Sequence, residues 1–308
     1  MVATPIGNLA DLTLRAIHIL GLVDAVACED TRITGQLLRH LGLDKPLLAL
    51  HQHNEHSAAV GVINRLAQGQ RVAYASDAGT PAVSDPGAVL VAAVAAAGHR
   101  VLPIPGASSA VAAVSAAGDV LAAGFAFVGF LPGKGQDRRS ALQAVAAAPG
   151  CQVLFEAPHR IASLLAGLAD AAPQRRVTLC RELTKQFESI TTQPAADLPA
   201  WLAADDNRSR GEFVLVLHAL PVVLVAPGAD GLSAEAQRLL GPLLRELPLK
   251  QAVALAAELS GAPRNALYER ALVLRRAADA ADAADAADLA TPDEQPCPPA
   301  GPAPKPTI

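Results

Sequence analysis

RVAYASDAGTPAVSDPGAVLVAAVAAAG, residues 71–98, is the stretch that decides the fold. A short β-type run opens it, residues 76–87 crowd glycine, proline and two aspartates into a turn, and an alanine-rich helix follows, with Gly98 as its C-cap. A strand, a glycine loop and a helix in that order bring backbone N–H groups close to a small ligand. The spacing is neither GxGxxG nor GxxxxGKS/T, so a ligand other than an ordinary dinucleotide or nucleoside triphosphate is expected.

The same alternation extends outward. Up to residue 118, β-like and helical runs alternate at 12–22, 24–28, 33–41, 47–50, 57–68 and 100–104, which predicts an α/β domain with a mostly parallel sheet. A second strand-end turn, PGASS at 105–109, faces the same sheet edge, and ligands of such sheets lie beyond the carboxyl ends of the strands. Residues 119–221 predict a second α/β domain of more antiparallel character, because the runs 176–183 and 187–192 follow each other without a helix. A small helical appendage is expected over 232–276. From residue 277 the chain repeats Ala-Ala-Asp and then turns proline-rich, and this tail, 277–308, is expected to be disordered.

With 308 residues and 51% hydrophobic content there is material for two cores, which alanine, valine and leucine must fill because aromatics are only 3%. The net charge of −4 is concentrated in the tail, where six acids stand against Lys305, so local basic clusters elsewhere matter more than the total. No apolar run approaches the ~18 residues of a membrane span, and no basic-then-apolar leader opens the chain; a cytoplasmic protein without a membrane partner is expected. Cys28, Cys151, Cys180 and Cys297 are scattered and are expected to pack rather than pair. His51, His53 and His56 form H-x-H-x-x-H, but with Asn54 and Glu55 interleaved no metal site is expected.

The 76–87 loop, taken with ATPIGNLAD (3–11), CEDTRITGQLLRHLG (28–42), LHQHNE (50–55), GFLPGKG (129–135), FEAPHR (155–160), RELTKQFE (181–188) and GEFVLV (211–216), resembles the tetrapyrrole methylase superfamily. Within it the match is to the branch that 2′-O-methylates a cytidine in the decoding region of 16S rRNA, and it covers roughly residues 2–275. The resemblance implies two α/β domains with a donor cleft between them, S-adenosyl-L-methionine as methyl donor, and 16S rRNA or the small ribosomal subunit as substrate. It also implies a homodimer; DNA is not expected as a partner. Members carry several apolar residues before ATPIGN, whereas only Met1 and Val2 stand here, so a start further upstream is expected.

By the same resemblance, Pro5, Asp77, Gly79, Thr80, Ser108 and Ser109 would hold the donor, with Phe155, Glu156 and Phe213 closing the cleft from the second domain. Asp77 as a plain turn residue and the serines as plain helix caps stay open as alternatives. Glu29, Asp30, Arg32 and Lys185 are the candidates for catalysis: Arg32 on phosphate, a carboxylate or the lysine taking the ribose proton. A cap on the next helix is the alternative role for Asp30. Lys134, Arg138, Arg139, His159 and Arg160 would form a basic rim for RNA, or else a solvated face. A methyltransferase acting on a tetrapyrrole or other small molecule, and a ribosome-binding factor without catalysis, are the competing readings.

Overall fold

A computed structural model describes residues 1–51, 53–221, 232 and 234–288, with backbone alone for 234, 235 and 277–288. Two compact units divide the chain, Met1–Val222 and Val223–Ile308.

The first unit holds two sheets. Strands β1 (Ala25–Cys28), β2 (Leu47–Ala49) and β3 (Val72–Ala75) are all parallel, in the order β2-β1-β3. Val2 bridges Ala75 on one side and Ile104 on the other, so a single residue fills the gap where a longer strand would lie. The expected strand at 100–104 pairs only at Ile104. Alternation along β1 sends Val26 into a core with helix α1 (Leu14–Leu22) and α2 (Thr31–His40), and Ala27 into a core with α3 (Glu55–Ala67) and α4 (Ala88–Ala96). Both faces are covered, as a parallel sheet requires.

After α5 (Ser109–Ala117) comes a mixed sheet made of β4 (Phe125–Phe130), β5 (Cys151–Glu156), β6 (Arg176–Arg181), β7 (Ser189–Pro194) and β8 (Phe213–Leu217), ordered β4-β5-β8-β6-β7. Only β4 and β5 run parallel; the other pairs are antiparallel. Helices α6 (Gly135–Ala147), α7 (Ile161–Ala171) and α8 (Leu198–Ala203) connect the strands. Leu154, Leu179 and Leu215 pack towards α7 and α8, while Val153, Cys180, Val214 and Val216 pack on Ala110, Ala113 and Ala117 of α5. The boundary expected at 118/119 therefore does not divide the packing, because α5 precedes it in sequence and serves the second sheet. Cys28, Cys151 and Cys180 are buried and free; Cys297 lies outside the described residues.

In the second unit α9 (Ala234–Glu246), α10 (Leu249–Ser260) and α11 (Arg264–Asp288) enclose their own core of Leu232, Leu240, Val253, Leu267 and neighbours. Helix α11 continues to Asp288, against the disorder expected from residue 277. Alanine has the highest intrinsic helix propensity, so an Ala-Ala-Asp repeat extends a helix without needing an apolar face. The rest of the expected tail, 289–308, lies outside the described residues.

Candidate functional site

Three strand-end loops are laced together at the carboxyl edge of the first sheet. Gly79 takes a left-handed φ of +78° and exchanges backbone hydrogen bonds with Thr4, whose N–H donates to the Gly79 carbonyl at 2.9 Å and whose carbonyl accepts from Gly79 at 3.1 Å. A Cβ at position 79 would sit 3.2 Å from Ile6 Cγ2, so glycine alone suits both the conformation and the close approach. The Thr4 hydroxyl donates to the Ser76 carbonyl, and the Thr80 hydroxyl to the Ala107 carbonyl. These bonds hold residues 3–7, 76–80 and 105–109 as one platform.

Two neighbouring hollows lie against it. The smaller, about 190 Å³, is lined by Gly79, Thr80, Asp85, Ser108 and Ser109 from the first sheet's loops and by Phe130, Phe155 and Phe213 from the second sheet. The larger, about 410 Å³, is lined by Pro5, Gly7, Thr34, Asp77 and Lys185. Ile6, Ala78 and Glu212 border both. The site thus lies between the two sheets of one unit. Phe155 sits edge-on to Phe127 and Phe130, with ring centres 5.0 and 5.6 Å away, which builds an aromatic wall. Phe213 is buried, a core residue as well as part of that wall.

Among the described residues the four non-glycine positions with positive φ are Ala82, Ser84, Glu182 and Thr184. The first two belong to the loop that carries Asp85 into the small hollow, and the second two flank Leu183 and precede Lys185, which line the two hollows. Such conformations cost of order 1–3 kcal/mol each and gather at functional sites. Here both strained segments border the same cleft.

The electrostatics separate the carboxylates. Burial, then the charges of Asp77, Asp85 and Asp30, raises the pKa of Glu29. Burial and the charge of Asp77 push Asp85 up to about 6. Asp30 goes the other way: its hydrogen bonds with the Arg32 side chain and backbone hold it well below the usual carboxylate range, and it caps α2. Asp30 and its exposed partner Arg32 therefore form a local cap and ion pair, and neither borders the hollows. Glu29 does not line them either. Asp77 accepts the Asp30 N–H at 2.9 Å and lines the larger hollow. Burial favours neutral Lys185, but hydrogen bonds to Glu212 and Glu182, at 2.8 and 2.9 Å, outweigh it and raise its pKa. Lys185 thus stands between two glutamates, an arrangement that favours its charged form over the base role expected of it.

Glu156 is also corrected. Its fully buried carboxylate turns away from the hollows and binds Arg138 at 2.9 Å and Arg160 at 2.6 Å. Those two arginines thus anchor α6 and the start of α7 to β5 instead of standing free on a basic rim. Lys134, Arg139 and His159 are exposed, with Arg139 forked onto Gln136. Sequence reasoning missed Asp85, Phe130 and Glu212. Asp85 was legible only as one of the two aspartates of the 76–87 turn.

Fold and cleft together define a methylase of the tetrapyrrole type: residues 1–199 match the family model of Tetrapyrrole (Corrin/Porphyrin) Methylases, and residues 230–275 match the RsmI C-terminal HTH domain. A crystal structure of the methyltransferase CobJ shares the fold at a TM-score of 0.54 and 19% identity, over 71% of this chain and 92% of that one. The ribosomal RNA small subunit methyltransferase I of Pseudomonas aeruginosa is 48% identical over 274 residues, which is 88% of this chain and 95% of the relative. That of Escherichia coli O157:H7 is 46% identical over 88% of this chain and 93% of its own length. The chain belongs to the ribosomal RNA small subunit methyltransferase I family. It is a methyltransferase, and its methyl donor is S-adenosylmethionine.

The residues present fit that donor. Gly79 leaves backbone close to the small hollow, and the aromatic wall offers a flat apolar face. Ser108, at the N-cap of α5, makes no side-chain bond to its own helix, so its hydroxyl and the helix N-terminus are available to a polar ligand.

Proposed function

We propose that this protein transfers a methyl group from S-adenosylmethionine to the ribose 2′-oxygen of a cytidine in the decoding region of 16S rRNA, acting in the cytoplasm as a homodimer. The observation that carries the reading is the two-part cleft, whose smaller hollow is lined by glycine backbone, hydroxyls and aromatic rings and whose wider neighbour is bordered by Lys185. The names of the relatives supply the substrate class, since they match along nearly their whole length.

Bound S-adenosylmethionine supplies an electrophilic methyl on a sulfonium, so little activation is left for the protein. Gly79, Thr80, Ser108, Ser109 and Phe155 hold the donor; Asp77, bordering the neighbouring hollow, orients its polar end. Lys185, neutralised only in part because its two partners are shared with backbone and solvent, sits where a substrate phosphate would approach. Lys134, Arg139 and His159 extend this attraction over the surface. Holding oxygen, methyl and sulfur in line is worth on the order of 7–11 kcal/mol.

Ribose-methylation mapping of 16S rRNA from cells lacking this protein tests the reading. One decoding-region 2′-O-methyl mark should vanish and return with the intact gene; retention of every mark overturns it. Labelled donor offered to small subunits and to a porphyrinogen should mark only the RNA.

A further inference from the structure

We infer that Asp85 is the group that takes the proton from the attacking hydroxyl, an assignment that rests on the ribose-methylating reading above. Three observations converge on it. Asp85 lines the small hollow beside Thr80, Ser108 and Phe155, at the junction of donor loop and aromatic wall. No lysine, arginine or histidine lines that hollow, and Asp85 has neither ion pair nor hydrogen bond, unlike Asp30, Asp77, Glu156 and Glu182. A half-buried carboxylate without a partner is costly to keep for packing alone.

The loop around it is built to hold that position. Ala82 and Ser84 both have φ of +66°, and the Ser84 hydroxyl stands where a Cβ on Gly129 of β4 would come within 3.1 Å, so the loop is pressed against the second sheet. Behind Asp85 the Tyr74 hydroxyl donates to the Pro86 carbonyl at 3.0 Å. Glu55 reaches from α3 and accepts the N–H groups of Gly87, Val89 and Leu90 at 2.8, 3.0 and 3.2 Å. The loop is thus clamped on both sides of the free carboxylate, which is how a positioned base is held.

The chemistry balances without another reactant. The hydroxyl proton passes to an Asp85 oxygen as the ribose oxygen bonds to the methyl carbon; the methyl–sulfur bond breaks and its electron pair stays on sulfur, which leaves as a neutral thioether. Asp85 then returns the proton to water. The titratable groups around it are Asp77, Glu29, Glu55 and Tyr74, with Glu212 across the hollow. All are acids, and they favour proton uptake.

The test uses the full-length protein, S-adenosylmethionine and small ribosomal subunits from cells lacking it. Asp85→Asn should bind donor within about twofold of wild type by calorimetry, lose on the order of 100-fold in kcat, and lose the acidic limb of the kcat–pH profile near pH 6. Asp85→Glu should recover at least tenfold of that loss. A kcat for Asp85→Asn within threefold of wild type, a donor-affinity loss that accounts for the whole rate loss, or an unchanged acidic limb overturns the assignment. If wild type itself binds donor but methylates no RNA, the substrate reading fails and takes the assignment with it; a defect confined to the variants leaves that reading standing.

Discussion

Asp77 and Asp85 show how two aspartates eight positions apart in one loop acquire different chemistry. Asp77 receives a backbone N–H from Asp30, whereas Asp85 receives none and feels the charge of Asp77. Asp77→Asn should therefore lower the pKa of Asp85 below about 6 and shift the acidic limb of the rate profile downward, readable by pH-rate analysis or by carboxylate NMR. The folded-state pKa of Asp85 lies above its unfolded value, so folding binds a proton across pH ~4 to 6 and loses stability as pH rises through that window. Asp85→Asn removes this loss, and the thermal midpoint at pH 8 should be higher in the variant while catalysis falls. Glu156 is the opposite case. Glu156→Ala leaves Arg138 and Arg160 without their carboxylate and should cost about 3–5 kcal/mol in denaturant titration, with a smaller cost if the arginines swing to solvent.

At the scale of elements, the decisive contacts cross from one segment to another. Glu55 belongs to the first turn of α3 yet serves the N-terminus of α4, which begins after Gly87 and has no side-chain cap of its own. Glu55→Ala should destabilise the fold by about 1.5–3 kcal/mol and speed hydrogen exchange at residues 84–90 more than in the rest of α4. Gly79→Ala should weaken donor binding at least tenfold in calorimetry, since the added Cβ meets both a left-handed φ and Ile6. The strand-turn-helix order around residues 71–98 was readable because β-type residues, turn formers and alanines follow one another locally. Partners such as Glu55 with Gly87 or Lys185 with Glu212 were not, because their spacing of 27 to 32 residues leaves no periodic trace.

For the molecule as a whole, the cleft is the product of two sheets of different build. The parallel sheet presents loops at one edge, and the mixed sheet presents its aromatic face. RNA should be attracted by the exposed cations Lys134 and Arg139, which have no carboxylate partner among the described residues. Replacing Lys134 and Arg139 by alanine should weaken binding alike on all RNA sequences and reduce the salt slope by roughly 1.4–1.8, whereas Arg138→Ala should lower the melting temperature first. A salt slope unchanged by the double replacement would remove these residues from the interface. Among the described residues, no helix is long and apolar enough to cross a membrane.

The sequence by itself determined the α/β class, the order of elements, the glycine turn, the family and hence the donor, because each follows from local periodicity or from motifs that sit in one stretch of chain. Tertiary structure alone decided which side chains are free. It bound Glu156 with Arg138 and Arg160, set Lys185 between two glutamates, gave α5 to the second sheet, and left Asp85 without a partner in the cleft. The reason is physical: a charged group's chemistry is set by its partners and its desolvation, and both come from segments far away in the chain.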